Sequence, residues 1–251
     1  GSLSPPLSIA GHTNGWPRLL DVDGMNIVDL NTTSVREFNA RLHEVRSDSE
    51  SDDWQVLNPK GKHSLAVGLQ APHRVGIEGS VGYYCGGMNK SAKVTVTGQC
   101  GKGLGENIMS GVIHVSGNAA EAAGASGRGG LIVIDGNASS RCGISMKGVD
   151  IVVTGSVGHM SGFMAQAGRL VVLGDADEDL GASIYEADIY VRGETGALGA
   201  DCVEKEMTPD HVKSLSLLLQ QARVECPAGD FHRYGSARKL YNFHVDNACR
   251  Y

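Results

Sequence analysis

The sequence predicts an all-β solenoid of about seven coils, each 19 residues long. Three observations predict it: a glycine that recurs at a fixed interval, a pair of apolar residues before it, and a small residue after it. The marker glycines are Gly79, Gly98, Gly117, Gly136, Gly155, Gly174 and Gly193. Because no insertion interrupts the series, we expect identical coils to stack in parallel with an advance of about 4.8 Å per coil.

A strand precedes each marker glycine. Apolar residues stand four and two positions before it, and this alternation predicts a strand with one buried face. The pairs are Val75/Ile77, Val94/Val96, Ile113/Val115, Ile132/Ile134, Ile151/Val153, Leu170/Val172 and Ile189/Val191.

The residues after each marker glycine predict the rest of the coil. Small inward residues are expected two positions after it, at Val81, Cys100, Ala119, Ala138, Val157, Ala176 and Thr195. Polar residues directly after it predict a ladder of hydrogen bonds, at Ser80, Gln99, Asn118, Asn137, Ser156, Asp175 and Glu194. A second glycine seven positions after the marker, replaced by Ala200 in the last copy, predicts a sharp turn. We interpret the marker glycines as structural turns, since a 19-residue coil has no room for the helix that follows a phosphate-binding loop.

Both ends of the solenoid are predicted to carry short helical caps. Thr33 or Ser34 is the expected N-cap of a first helix, and residues 54–69 are expected to form a strand that leads into the first coil. A second helix is expected to begin after Thr208, with Pro209 in its first position. The predicted segments are an extension or vector-derived stretch (1–24), an N-terminal helix and strand cap (25–70), the β-helix (71–203), and a C-terminal helix with a docking tail (204–251).

Composition excludes several classes of protein. The formal net charge is −6, which disfavours a nucleic-acid partner because phosphate binding needs a concentrated basic surface. The sequence contains no apolar run long enough to span a bilayer, and it shows no secretion signal. We therefore expect a cytoplasmic protein that does not enter a membrane. The cysteines contain no CxxC pair and are interpreted as reduced thiols.

Candidate chemical groups have simpler structural explanations. The acidic corner at 174–181 suggests calcium, but a solvated turn is favoured because the spacing of calcium-binding β-rolls is missing. His114 and His159 are isolated from other metal ligands, and Cys85 and Cys142 are interpreted as small core residues. Five methionines are predicted to fill gaps within the coils, at positions 88, 109, 146, 160 and 164. We therefore expect no catalytic, cofactor-binding or metal-binding residue in this chain.

One column of long side chains predicts either a solvated face or a docking surface. It stands eleven positions after the marker glycines, at Lys90, Met109, Arg128, Lys147, Gln166 and Tyr185. Its cations Lys90, Arg128 and Lys147 are candidate docking residues. Arg233 and Arg238 are further candidates, in a basic and aromatic tail (231–247) that either packs back along the solenoid or is held by another protein.

The coils resemble a known family. The stretches "GYYCGGMNKSAKVTVTG", "GLGENIMSGVIHVSGNA" and "RCGISMKGVDIVVTGSVGHMSGFMAQAG" are similar to the glycine-patterned (GXGXG) right-handed β-helix that ends the large subunit of glutamate synthase. The flanking "VDLNTTSVREFNARLHEV" and "FHRYGSARKLYNFHVDN" resemble the free-standing form of that domain, as in N-methylglutamate synthase. The resemblance runs from about residue 25 to residue 247 and implies the right-handed sense of the coil.

This resemblance implies a non-catalytic scaffold subunit in a hetero-oligomeric complex of glutamate and amine nitrogen metabolism. Its partners would be a class II glutamine amidotransferase-like subunit and an FMN-binding glutamate synthase-like subunit. FMN and an iron–sulfur cluster would be bound by the partners and not by this chain.

Two alternatives remain open at this point. The same coil pattern occurs in a structural subunit of formylmethanofuran dehydrogenase or formyltransferase-type complexes. An independent β-helix enzyme, either a polysaccharide lyase or an acyltransferase, is less compatible with the sequence, because lyases use longer coils and the acyltransferase helix uses coils of about 18 residues.

Overall fold

The computed structural model describes residues 24–44 and 51–238, and it confirms a parallel β-solenoid with two α-helices. The strands are β1 (Asn26–Asp29), β2 (Asp53–Leu57), β3 (Arg74–Ile77), β4 (Lys93–Val96), β5 (Val112–Val115), β6 (Leu131–Ile134), β7 (Lys147–Val153), β8 (Ala167–Val172), β9 (Asp188–Val191), β10 (Cys202–Lys205) and β11 (His232–Ser236). The helices are α1 (Val35–His43) and α2 (Pro209–Gln221). All strands join one sheet in the order β1-β2-β3-β4-β5-β6-β7-β8-β9-β11-β10.

The predicted 19-residue register holds from β3 to β9, apart from a one-residue shift between β7 and β8 where Lys147 pairs with Ala167. Val75 pairs with Val94 and Val94 with Ile113, and the same offset continues to Leu170 and Ile189. A second line of parallel bridges joins the small residues, through Val81, Cys100, Ala119, Ala138, Val157, Ala176 and Thr195. Apart from Thr195, which is half-buried, these residues and the inward strand residues form one continuous interior core, as the alternation predicted.

The six coils that begin at Gly79 to Gly174 each turn through three left-handed residues at alternate positions, whereas the coil after Gly193 does not. The middle one is the predicted second glycine, and at Gly124 φ is +70°. Its neighbours Ala122 and Ser126 are also left-handed, with φ of 62° and 54°. A non-glycine residue pays roughly 1–2 kcal/mol for this conformation. Hydrogen bonds to the next coil hold both in place, since their N–H groups donate to Ser140 O (3.0 Å) and Ile144 O (2.9 Å).

The polar ladder is present, and it joins side chains to backbone. Asn118 Oδ1 accepts from the N–H of Asn137 (2.8 Å), and Asn137 Oδ1 accepts from the N–H of Ser156 (2.8 Å). Ser156 and Asp175 continue it with bonds of 3.0 and 2.9 Å. Each rung therefore satisfies one backbone donor of the following coil.

One further coil precedes the predicted ones. The prediction of a strand through residues 54–69 is wrong, because β2 ends at Leu57 and residues 58–73 complete a coil. Trp54 pairs with Val75, an offset of 21 residues, so this coil lies out of phase with the 19-residue period. It nevertheless contains the same left-handed triplet, at Ser64, Ala66 and Gly68.

Helix α1 closes the N-terminal end of the solenoid. Ser34 is the N-cap and accepts from the N–H of Glu37 (3.1 Å). Phe38 and Leu42 enter the interior core. Asn39 fixes the helix to the first coil, because its amide donates to Ser64 O at 2.7 Å.

Helix α2 covers the outer side of the sheet instead of an end. It begins after the capping residue Thr208 with Pro209, as predicted. Its buried leucines pack on outward side chains of β6 to β9 in a second core, which contains Leu131, Val133, Val152, Val171, Tyr190, Leu215, Leu218 and Leu219. The sheet is thus buried on both faces there, whereas the alternation predicted one buried face. Arg169 ties the helix down, since it pairs with Asp150 (2.6 Å) and donates to Ser214 Oγ (2.8 Å).

The described part of the tail packs back on the solenoid. Strand β11 lies antiparallel between β9 and β10. Tyr234 on this strand enters the interior core and closes its C-terminal end. Residues 1–23, 45–50 and 239–251 lie outside the described residues, and they include all but the last residue of the predicted extension, the rest of the tail and Cys249.

Candidate docking surface

The column of long side chains forms a continuous stripe on the solenoid. The N–H groups of Arg128, Lys147 and Gln166 each donate, at 2.7 Å, to a carbonyl of the preceding coil. Equivalent backbone bonds fix Lys90 (2.8 Å) and Tyr185 (2.8 Å). All members of the column are exposed except Tyr185, which is half-buried. The stripe therefore rests on the same ladder that holds the coils together.

Exposed methionines lie beside these cations. Met109 belongs to the stripe and is 48% exposed, while Met88 and Met164 stand two positions before it in their own coils and are 42% and 38% exposed. The prediction that these methionines fill gaps in the coils is therefore wrong, although it is correct for Met146, which is fully buried. Met88 and Met164 take the left-handed conformation, with φ of 54° and 52°.

We call this surface the basic–methionine face; it consists of Lys90, Arg128, Lys147, Met88, Met109 and Met164. In the six coils that begin at Gly79 to Gly174, neither of its two columns contains an aspartate or a glutamate. Within residues 24–44 and 51–238, no ion pair involves Lys90, Arg128 or Lys147. The face is thus a positive and partly apolar surface on a protein whose formal net charge is −6.

The other two docking candidates lie in a groove near the C-terminal end of the stripe. Arg233 pairs with Asp188 (2.7 Å) and also donates to Glu206 O (3.0 Å). Arg238 pairs with Asp201 at 2.5 Å. The groove encloses about 230 Å³ and includes Tyr185, the last residue of the stripe. Both arginines already have carboxylate partners, so this groove is electrostatically more balanced than the basic–methionine face.

The marker glycines are placed where backbones of successive coils meet. A Cβ on Gly98 would lie 2.5 Å from the carbonyl carbon of Gly79, and a Cβ on Gly117 would lie 2.7 Å from the oxygen of Gly98. Gly79 differs, because its φ of +117° itself favours glycine. Most of these glycines therefore allow close approach and do not supply an unusual dihedral angle.

Two of the candidate thiols are buried, and the two candidate histidines lie beside carboxylates. Burial raises the pKa of Cys85 and of Cys142 to about 12, so both stay protonated and unreactive near neutral pH. His114 lies 2.8 Å from Asp135, and His159 lies 3.6 Å from Asp179. Across the two described ranges, no three His, Cys, Asp or Glu side chains are grouped as a metal site would require.

Neither helix in the described ranges is long and apolar enough to cross a membrane. No family model matches the chain, and no solved structure matches it. One relative is protein GlxC of Rhizobium meliloti (strain 1021). It is 56% identical over 228 residues, which cover 90% of this chain and the whole of the relative.

Proposed function

This chain belongs to the family of protein GlxC, and from that premise we propose that it is a non-catalytic scaffold subunit of a glutamate synthase-like complex. The proposed complex is of the N-methylglutamate synthase type and acts in glutamate and amine nitrogen metabolism in the cytoplasm. Its other members are a class II glutamine amidotransferase-like chain and an FMN-binding chain that holds the flavin and an iron–sulfur cluster. The sequence resemblance described above supports this assignment; the match to protein GlxC gives no support to the formylmethanofuran-type alternative.

The observation that carries the proposal is the contrast between the interior and the surface of the solenoid. Cys85, Cys100 and Cys142 are buried in the core, whereas the charged side chains of the basic–methionine face stand on a backbone ladder that runs through successive coils. A stack of coils joined by parallel hydrogen bonds is a rigid spacer, because each coil is fixed by its neighbours. Such a structure suits a subunit that holds two catalytic chains at a fixed separation.

Purification of the tagged chain from its native host tests the proposal. We expect a yellow or brown preparation, with flavin released on denaturation and two further chains of amidotransferase-like and flavin-binding sequence. The complex should carry out glutamate-dependent amine transfer. The same chain made alone in a foreign host is the control, and it should be folded, colourless and inactive. A colourless native preparation without partner chains would contradict the scaffold role.

A further inference from the structure

We propose that the basic–methionine face binds an acidic surface of a partner subunit in which apolar side chains lie between the carboxylates. This inference rests on the proposed scaffold function and adds the place and the chemistry of one contact. The occupant is a different chain, and its carboxylates pair with Lys90, Arg128 and Lys147.

The charge distribution argues for an acidic occupant. Elsewhere on the solenoid, exposed cations have a carboxylate within the chain, because Glu121 pairs with both Lys102 (3.1 Å) and Arg141 (2.7 Å). On the basic–methionine face, no carboxylate stands in either column of the six coils, although the chain as a whole has more acidic than basic residues. Complementary charges at an interface fix its register and select the partner.

The methionines argue for a protein occupant instead of a small anion. Three of the seven large hydrophobic side chains that are exposed in the described residues belong to this face: Met88, Met109 and Met164. Methionine is flexible and polarisable, and it adapts to irregular apolar surfaces at binding sites. The cations span about 14 Å and the methionines about 19 Å along the stack, at about 4.8 Å per coil. A surface of this length matches a protein contact better than a single ion.

A second copy of this chain is the competing occupant. Its acidic corner at Asp175, Asp177 and Glu178 is exposed and could meet the basic–methionine face of another molecule. Two different surfaces would then join, and such a contact builds open chains of molecules unless rotation closes it. Growth of the particle with concentration would reveal that arrangement.

Chemical footprinting of the native complex tests the inference. The complex and the isolated chain are treated in parallel with a lysine-acylating reagent and with dilute hydrogen peroxide, and modification is measured by peptide mass spectrometry. We expect Lys90, Lys147, Met88, Met109 and Met164 to react at least fivefold more slowly in the complex. Lys213, which is exposed on α2, is the internal control and should react equally in both samples.

A zero-length carbodiimide cross-linker identifies what covers the face. Cross-links from Lys90 or Lys147 to aspartate or glutamate of another chain are the expected result. Cross-links only to carboxylates of a second copy would overturn the inference, as would a co-purified partner that leaves the face fully reactive. In the latter case the scaffold role would stand and only the docking site would be wrong. If no partner chain co-purifies, both proposals fail.

Matched charge reversals give a second measurement. The double variant Lys90→Glu/Lys147→Glu should bind the partner at least tenfold more weakly and keep the elution volume and circular dichroism of the parent chain. Arg36→Glu/Lys213→Glu makes the same change in net charge at exposed positions outside the face and should bind normally. Equal weakening in both variants would indicate a general effect of net charge and would overturn the inference.

Discussion

Two outward surfaces run along the solenoid, and the chain treats them differently. On the sheet side, Val133, Val152 and Val171 face outward and are fully buried beneath α2. On the basic–methionine face, long flexible side chains stand at the same 19-residue interval and remain exposed. Both surfaces rest on hydrogen bonds between successive coils, but they differ in their side chains and in backbone conformation, which is extended at the valines and left-handed at Met88 and Met164.

The residue types in an outward column of a repeat protein differ according to whether the column is covered by another segment of the same chain. Stiff β-branched residues in an outward column fit a packed surface that a segment of the same chain covers permanently. Lysine, arginine and methionine in an outward column tolerate water and adapt to a separate partner. Similar substitutions placed on the two surfaces test this contrast.

The largest effect is expected from a charge placed beneath α2. Val152→Asp puts a carboxylate between the sheet and the helix, and we expect the free energy of unfolding to fall by about 3–5 kcal/mol. Met109→Asp on the basic–methionine face is the control and should change it by less than about 0.5 kcal/mol. Urea denaturation followed by circular dichroism measures both. Similar losses of unfolding free energy in the two variants would contradict the proposed difference between the two surfaces.

A smaller effect is expected at the turn that both surfaces share. Gly124→Ala adds a Cβ that would lie 2.4 Å from Ile151 Cδ1, in a left-handed backbone with φ of +70°. We expect a loss of about 2–4 kcal/mol in the free energy of unfolding, which combines strain and overpacking. Ala122→Gly, two residues earlier, relieves a left-handed alanine and should be neutral or stabilising by up to about 1 kcal/mol. Destabilisation by Ala122→Gly would argue against strain at that position.

The polar ladder should contribute less. Asn137→Ala removes the acceptor for the N–H of Ser156, and the expected loss is about 1 kcal/mol. Gln99→Ala is the matched control, because the described hydrogen bonds of this ladder include none from the Gln99 side chain to the next coil. In thermal unfolding, Asn137→Ala should therefore have a lower midpoint temperature than Gln99→Ala. Equal midpoints would show that the rung adds nothing measurable.

The smallest effect on the stability of the isolated chain is expected from removing the lysine charges of the stripe. Lys90→Gln/Lys147→Gln removes two exposed charges without ion-pair partners in the described residues, and the free energy of unfolding should change by less than about 0.5 kcal/mol. Comparison of the urea midpoints of variant and parent measures it. A large loss would mean that these residues stabilise the solenoid and would weaken the case for a docking surface.

The sequence revealed the parts of the fold that repeat. Strands, inward small residues and the polar ladder follow from the 19-residue period, because every coil has the same neighbours. The first coil was not predicted, because Trp54 and Val75 are 21 residues apart and so fall outside the 19-residue period. The position of β11 could not be predicted from the sequence either, because its pairing with β9 joins segments that are separated by helix α2.

The candidate docking surface was predictable to a similar degree. The stripe containing Lys90, Arg128 and Lys147 follows from the period once the coils are in register. Met88 and Met164 were missed because methionine is usually buried, and neither their exposure nor their left-handed backbone follows from the residue type. The outward valines were visible in the sequence, but alternation alone did not show that the chain would cover them with α2.

The insertion of β11 between β9 and β10 also sets an order for biosynthesis. The coils from β2 to β9 can stack as they leave the ribosome, because each needs only the coil made before it. The final edge can close only after residue 236 has emerged, when the returning strand reaches β9. Truncation shortly before this point should leave a stack of coils with an open edge, which is a template for pairing with other chains. By covering that edge, β11 would protect the finished solenoid from pairing with other chains.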